Sequence, residues 1–580
     1  MKMEDASKQS RNGLLALPFA IAWIMVVHAL LLNFAALAAG DNVAEAIGRR
    51  LKNAQPPPQL LLGCEVIHAK DDLIEFYGGR QFAPLWLDEH GLNDLGKALP
   101  GQLAESRLQG LSPEDYHLSC INAMVTGLNS RLQQQKPLNP SEMADLDILM
   151  TDAFMTYASH LAGGKVDPVS FDRLWFSQKE KVNIMEGLAG LKSEKDLAAT
   201  IHSFAPANPQ YWALIAAAQE LEQVIAAGGW PLLPPGRKLR QGDRDPQVPL
   251  LRKRLEASGE LKPDERGPQA DHYDEFLAVA VKKFQLRHGL GVDGVLGDRT
   301  RAEINVPAER RRQQILLNLE RWRWLPHSWG ENYIIVNTAA FSLLAHRGTE
   351  TLTMRVIVGK DYQKTPIFSE QLRYIELNPY WDVPRSIAVK EMLPAIMRNP
   401  GYLASRNYEL LSQGTPIDPW GVDWSTVSSS NFPFRIRQRP GAKNALGRIA
   451  FMFPNRFAVY MHDTPDRHLF NRARRDLSHG CIRLENPLGL AVMILQDDPA
   501  WTQERIEAII ATGKSRIINV KSEWMVHILY WTAWVDDYGQ LQFCPDIYDK
   551  DATLWAQLNK SDSNQTSSVK LQSPGGEAPL

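Results

Sequence analysis

Near residue 330 the hydrophobic pattern of this 580-residue chain changes period, and that change sets the class of fold it can adopt. Upstream, apolar residues recur at steps of three and four. Leu146, Leu149, Met150, Ala153, Phe154, Tyr157 and Leu161 mark one face of a helix that Gly163-Gly164 ends. Downstream, short β-rich runs separated by turn residues take over: Tyr333–Val336, Ser342–Leu344, Met354–Val358, Ile449–Met452 and Phe457–His462. Pro454-Asn455-Arg456 lies between the last two, which predicts a hairpin. The pattern therefore predicts a multidomain α+β chain. A linker over 41–64, containing Pro56-Pro57-Pro58, leads to a mostly helical scaffold over 65–235. Pro234-Pro235-Gly236 separates this from a small helical unit over 241–305. Its first two helices are marked by Val248, Leu251 and Leu255, then by Leu277, Ala280, Val281 and Phe284. A β-rich domain over 331–545 follows, with a helical insertion at about 386–430. The Ser/Gln/Pro/Gly-rich stretch over 559–580 reads as a disordered tail.

The chain opens with Lys2, Lys8 and Arg11, an apolar run from Leu14 to Ala39, and a small-x-small step at Ala36-Leu37-Ala38. Residues 1–40 thus have the layout of an export signal. The run is also long enough to span a bilayer as an uncleaved anchor. Both readings put the body of the protein outside the cytoplasm. Charge excludes other classes. The 64 basic and 66 acidic residues nearly cancel, which argues against a nucleic-acid partner. No GxxxxGK[ST] or strand-linked GxGxxG supports nucleotide chemistry, and no Cys/His spacing suggests zinc, so no cofactor or metal is expected. Leu61-Leu62-Gly63-Cys64 has the form of a lipoprotein box but lies far beyond the apolar run. Among four cysteines, Cys64 and Cys120 are the sequence-near pair for a disulfide, with no disulfide as the default.

Chemistry concentrates in Tyr460-Met461-His462-Asp463, a link, and Ser478-His479-Gly480-Cys481-Ile482-Arg483. Cysteine acyl transfer needs a thiolate, a base that generates it, and donors for the oxyanion. Cys481 is the candidate nucleophile, held deprotonated by an imidazole within reach. His462, nineteen residues earlier at the end of a strand, is the candidate base. The Ser478-His479-Gly480 turn can aim backbone N–H groups at one point, with Gly480 allowing close approach. His479 takes a structural or substrate-contact role, and Ser478 is placed with it beside the substrate. Tyr460 shares a strand face with His462 by period two, lining the pocket or packing in the core. Arg483 can hold a stem-peptide carboxylate or form a surface ion pair. Trp420 and Trp424 in the insertion can cap a substrate or simply pack.

A histidine, a link and Ser-His-Gly-Cys resemble the L,D-transpeptidases of bacterial cell walls, with the YkuD-type catalytic fold. The layout is similar to the large periplasmic YcbB-like subgroup, as are Asn378–Ile387 and Ile528–Ala533. Residues 241–305 resemble a three-helix peptidoglycan-binding module through Val248, Leu255, Phe284-Gln285, His288-Gly289-Leu290, Asp293-Gly294, Gly297 and Thr300. Arg483 departs from a family position that is often Asn. The resemblance implies a periplasmic enzyme acting on stem peptides and glycan strands, with the inner membrane as a partner if residues 1–40 stay attached. It implies that Cys481 attacks the third stem residue and D-Ala leaves with a proton from His462. A second stem's amine then resolves the thioester into a 3→3 crosslink. Gly480 and Cys481 N–H groups are the implied oxyanion donors. Hydrolysis as an L,D-carboxypeptidase or endopeptidase, and a non-catalytic wall-binding scaffold, are the alternatives.

Overall fold

In the computed structural model, residues 42–52, 61–62, 65–176, 182–265 and 269–560 are described. The signal-or-anchor segment 1–40, Cys64 with the question of its pairing to Cys120, and tail residues 561–580 lie outside them. No helix among the described residues is long and apolar enough to cross a membrane. The architecture expected from the pattern is borne out: a helical N-terminal region, a three-helix module and a β-rich C-terminal domain.

Contacts divide the chain into two units. One comprises residues up to Glu105 with 112–157 and 183–200. It is helical, with helices at Lys70–Gly79, Asp94–Ala104 and Leu118–Gln133 that bury Leu73 and Tyr77, Leu99, and Ile121 respectively. Asp147 is fully buried and satisfied. It accepts the backbone N–H groups of Leu85 and Trp86 and the Tyr77 hydroxyl, so it pins a loop onto its helix. The expected linker over 41–64 is corrected at its start. Val43–Lys52 is a helix whose Ile47 and Leu51, one turn apart, are buried with Ala46. Its basic residues and the prolines beyond it hid that face.

The second unit comprises 106–111, 158–182 and 201 onward. Within it, helices Val248–Ala257, Glu275–Arg287 and Asp298–Ile304 enclose Leu251, Leu255, Leu277, Val281, Phe284, Leu296 and Ile304. Asp274 caps the second helix by accepting the Leu277 N–H. Gln285 organises the turn that follows. Its Oε1 accepts the N–H groups of Asp293 and Gly294, and its Nε2 donates to Asp293 Oδ1, the Val295 carbonyl and Thr300 Oγ1. Gly294 is required there, because its φ is +72° and a Cβ would press on the Ala278 carbonyl at 3.2 Å. Gln285→Ala leaves two N–H groups without their acceptor. It is expected to cost this module about 2–3 kcal/mol, read as a lowered melting transition.

The β-rich domain is built on one large sheet. Its strands are β1 (Asn332–Asn337), β2 (Ser342–Arg347), β3 (Glu350–Gly359), β4 (Ile367–Gln371), β5 (Tyr374–Leu377) and β6 (Ile449–Met452). They continue as β7 (Met461–His462), β8 (Asp476–Ser478), β9 (Ile482–Leu484), β10 (Arg516–Asn519) and β11 (Met525–Leu529). The order is β10-β5-β6-β7-β9-β3-β2-β1-β11-β4, with Trp175–Phe176 on the β4 edge and β8 pairing β3. Thus the helical region's Trp175 joins the large sheet, packed edge-on to Trp324 at 4.6 Å. The hairpin expected over 449–462 is shorter than its sequence suggests. Only Met461–His462 pairs with β6, because Asn455 captures the Phe457 and Val459 N–H groups and Ala458 turns left-handed at φ +52°.

The insertion is not purely helical and extends past 386–430 on both sides. Trp381–Asp382, Arg435–Gln438, Tyr408–Ser412 and Thr415–Ile417 form their own antiparallel sheet, in that order. Short helices between them bury Met392, Leu393, Ile396 and Leu403 against it.

Candidate active site

The site begins with one parallel strand pair. In β7 and β9, Met461 lies beside Ile482 and His462 beside Arg483. The Ile482 N–H donates to the Tyr460 carbonyl, which carries the register back so that Cys481 lies beside Tyr460. Side chains alternate, so Tyr460, His462, Cys481 and Arg483 share one face. Met461 and Ile482 take the other face and are fully buried in the core. The sequence-distant histidine and cysteine thereby become diagonal neighbours on adjacent strands, a spacing their side chains can span.

Behind Cys481 the turn is tied down at several points. Ser478 Oγ donates to the Cys481 carbonyl at 2.6 Å and accepts the Gly480 N–H at 3.1 Å. The Gly480 carbonyl accepts Thr365 Oγ1, which in turn accepts the Gly359 N–H. Tyr548 closes the network, donating its hydroxyl to the Gly359 carbonyl and accepting the Thr365 N–H. Gly480 sits at φ +116°, a conformation other residues rarely adopt. These bonds bear on two expectations. Ser478 braces the turn, and the Gly480 N–H, expected as an oxyanion donor, is bonded to its hydroxyl. Of the two expected oxyanion donors, the Cys481 N–H is the one this turn leaves uncommitted.

His462 is buried, and its Nδ1–H donates to the Asp463 carbonyl at 2.5 Å. That bond sets the tautomer and gives Nε2 the lone pair. The Leu446 carbonyl also faces the ring. Burial, and then the Arg483 cation, lower the His462 pKa to about 3. Burial likewise raises Cys481 to about 11, against smaller lowering by the Tyr460 N–H, Arg483 and the Tyr460 hydroxyl. Both shifts favour the uncharged forms, thiol and imidazole, over a preformed thiolate. The thiol's own contact runs to the Ala458 carbonyl at 3.9 Å.

The remaining residues sort by contact. Tyr460 belongs to the pocket, with its hydroxyl against the Cys481 sulfur and its ring 5.7 Å from His462. Burial raises its pKa, followed by the charge of Cys481. Arg483 is half-buried, beside both His462 and Cys481, with Asp466 at 3.5 Å. His479 Nε2 pairs with Glu391 Oε1 of the insertion at 2.7 Å, so it is occupied by the chain itself. Trp424 is buried in the insertion's own core and donates to the Pro419 carbonyl, so it is not brought to the thiol. Trp420 is exposed. Sequence reasoning missed Trp381, whose side chain bonds the Tyr460 hydroxyl, and also Glu391 and Thr365. Trp381 lies within the Asn378–Ile387 run, but no local pattern pointed it at Tyr460.

Three segments match known families. Residues 71–217 match a scaffold domain, 244–304 a family described as "Putative peptidoglycan binding domain", and 331–507 an L,D-transpeptidase catalytic domain. A "Putative L,D-transpeptidase" of Haemophilus influenzae is 35% identical over 254 residues, covering 43% of this chain and 50% of the relative. The chain thus matches about half the length of that relative. Two solved structures also align at 15% identity. An L,D-transpeptidase of Xylanimonas cellulosilytica (its residues 123–326) covers 51% of this chain and 98% of its own, at a TM-score of 0.16. One from Mycobacterium smegmatis covers 34% and 58%, at 0.17. At those scores neither alignment carries an argument about fold.

Proposed function

We propose that this chain, which carries an L,D-transpeptidase catalytic domain after a scaffold domain and a peptidoglycan-binding domain, forms 3→3 crosslinks between peptidoglycan stems through a Cys481 thioester. The observation that carries this reading is the β7/β9 register, which puts His462 and Cys481 on one face of adjacent strands. Peptidoglycan lies outside the cytoplasm, and so would the enzyme. Residues 1–40 would serve as signal or inner-membrane anchor.

A donor tetrapeptide places the carbonyl of its third residue over the sulfur. Cys481 rotates from Ala458 toward His462, and Nε2 takes the thiol proton as Sγ bonds the carbonyl carbon. The Cys481 N–H meets the developing oxyanion. Collapse breaks the bond to D-Ala, whose amine leaves with the proton from His462. The thioester conserves the acyl group's reactivity, so no nucleotide is needed. The side-chain amine of a second stem then attacks, His462 takes its proton, and Cys481 leaves as the thiol. Arg483 holds positive charge beside the transient thiolate and oxyanion.

The test is product analysis by mass, using purified protein and disaccharide-tetrapeptides. D-Ala release matched by 3→3 dimers is expected. Tripeptide without dimers would make the protein a hydrolase, and unreacted tetrapeptide would end the reading.

A further inference from the structure

The first unit holds a cluster that the acyl-transfer chemistry does not use. His117 and Asp152 are almost completely buried, and His68 lies at the exposed rim. One ligand atom from each of these three lies within 4.8 Å of the others. His117 Nε2 is 2.9 Å from Asp152 Oδ2, and His117 Nδ1 is 3.1 Å from Glu65 Oε2. The His68 ring stacks on that of His117, with centroids 5.4 Å apart. The other carboxylate oxygen of Asp152 is fixed from behind by the Ala69 N–H at 2.7 Å and the His68 N–H at 3.1 Å.

We propose that His68, His117 and Asp152 form a zinc site in the scaffold unit, with Glu65 orienting His117. With Nδ1–H held by Glu65, a cation would displace the single proton that Nε2 now shares with Asp152 and take its lone pair. A carboxylate behind a ligating histidine is the usual support of such a ligand. Asp152 Oδ2 already faces Nε2, and backbone donors hold the Asp152 carboxylate at that angle. Two imidazole nitrogens and one carboxylate oxygen suit Zn²⁺ better than Ca²⁺ or Mg²⁺, which take oxygen shells. Three protein ligands leave a fourth position, at the His68 side, for water. The ion would join three segments far apart in sequence: the strand end at Glu65–His68, the turn at His117, and the helix that carries Asp152. Its role would be to staple this unit.

The test uses the full chain with its thiols blocked by iodoacetamide, so that Cys481 cannot bind metal. The protein is stripped with a chelator, mixed with Zn²⁺ and passed through gel filtration. One equivalent of zinc per chain and a raised melting temperature are expected. His68→Ala removes an exposed ligand without opening the core. It should keep its circular dichroism, lose the zinc-dependent rise in melting, and bind at least about tenfold more weakly. Glu65→Gln, which removes no ligand, should weaken binding with unchanged stoichiometry. No retained zinc in the wild type, or equal retention in His68→Ala, would overturn the proposal and leave the cluster as a proton-bridged ion pair.

Discussion

Cys481→Ala is expected to abolish both D-Ala release and dimer formation, a fall of roughly 10⁴-fold or more, while the protein stays folded. The size follows from the chemistry. Without sulfur no thioester forms, and a remaining oxyanion donor and substrate contacts supply only a residue of the rate. That the protein stays folded follows from the turn. The bonds that hold it run through Ser478 Oγ, the Gly480 backbone and Thr365, none of which uses the Cys481 side chain. The sulfur is itself only partly buried, so its loss opens no closed cavity. Melting temperature and turnover should therefore separate. A Cys481→Ala protein that melts like the wild type and still forms dimers would remove the nucleophile from the mechanism.

His462→Gln should lower acylation by about 10²–10⁴-fold, and its pH dependence should show why. As the proposed base, His462 would act as neutral imidazole, which is the dominant form above its pKa of about 3. The nucleophile rests as a thiol, which is the dominant form below about 11. Between those limits both groups hold the protonation state that the first step needs, so acylation by the wild type should be nearly flat across neutral pH. A preformed thiolate–imidazolium pair predicts otherwise. Its thiolate would react with iodoacetamide at a constant rate from mildly acidic pH upward. With a thiol near 11, only about one molecule in 10⁴ is thiolate at pH 7, and alkylation of the free protein should climb steadily with pH. An alkylation plateau near pH 5–7 would refute the neutral-pair description. His462→Gln should leave the alkylation profile little changed while acylation collapses, because the base matters to the proton transfer and not to the resting charge.

The readable parts of this protein were those where one residue type at one spacing suffices. Period-three-and-four apolar residues announced the helices. The Ser478–Cys481 run stood out because a turn with Gly and a thiol is a local object. The unreadable parts depend on partners brought from afar. The Gly480 carbonyl is held by Thr365, 115 residues away, which nothing in the local run announces. Trp424 looked like a cap but lies in the insertion's core, because that segment folds around a sheet of its own. Glu391 is 88 residues from His479, and Asp152 is 35 from His117. No spacing rule reaches across such gaps.

What the sequence alone determined is the division into helical and β-rich parts and the candidate pair His462 and Cys481, because periodicity and a short motif are properties of neighbouring residues. What only the tertiary structure decided is the state of that pair. Parallel pairing of β7 and β9 puts imidazole and thiol on one face, where neighbouring groups desolvate both although the thiol keeps part of its surface exposed. Desolvation penalises whichever form carries charge, so the same burial that assembles the site keeps its base and its nucleophile neutral.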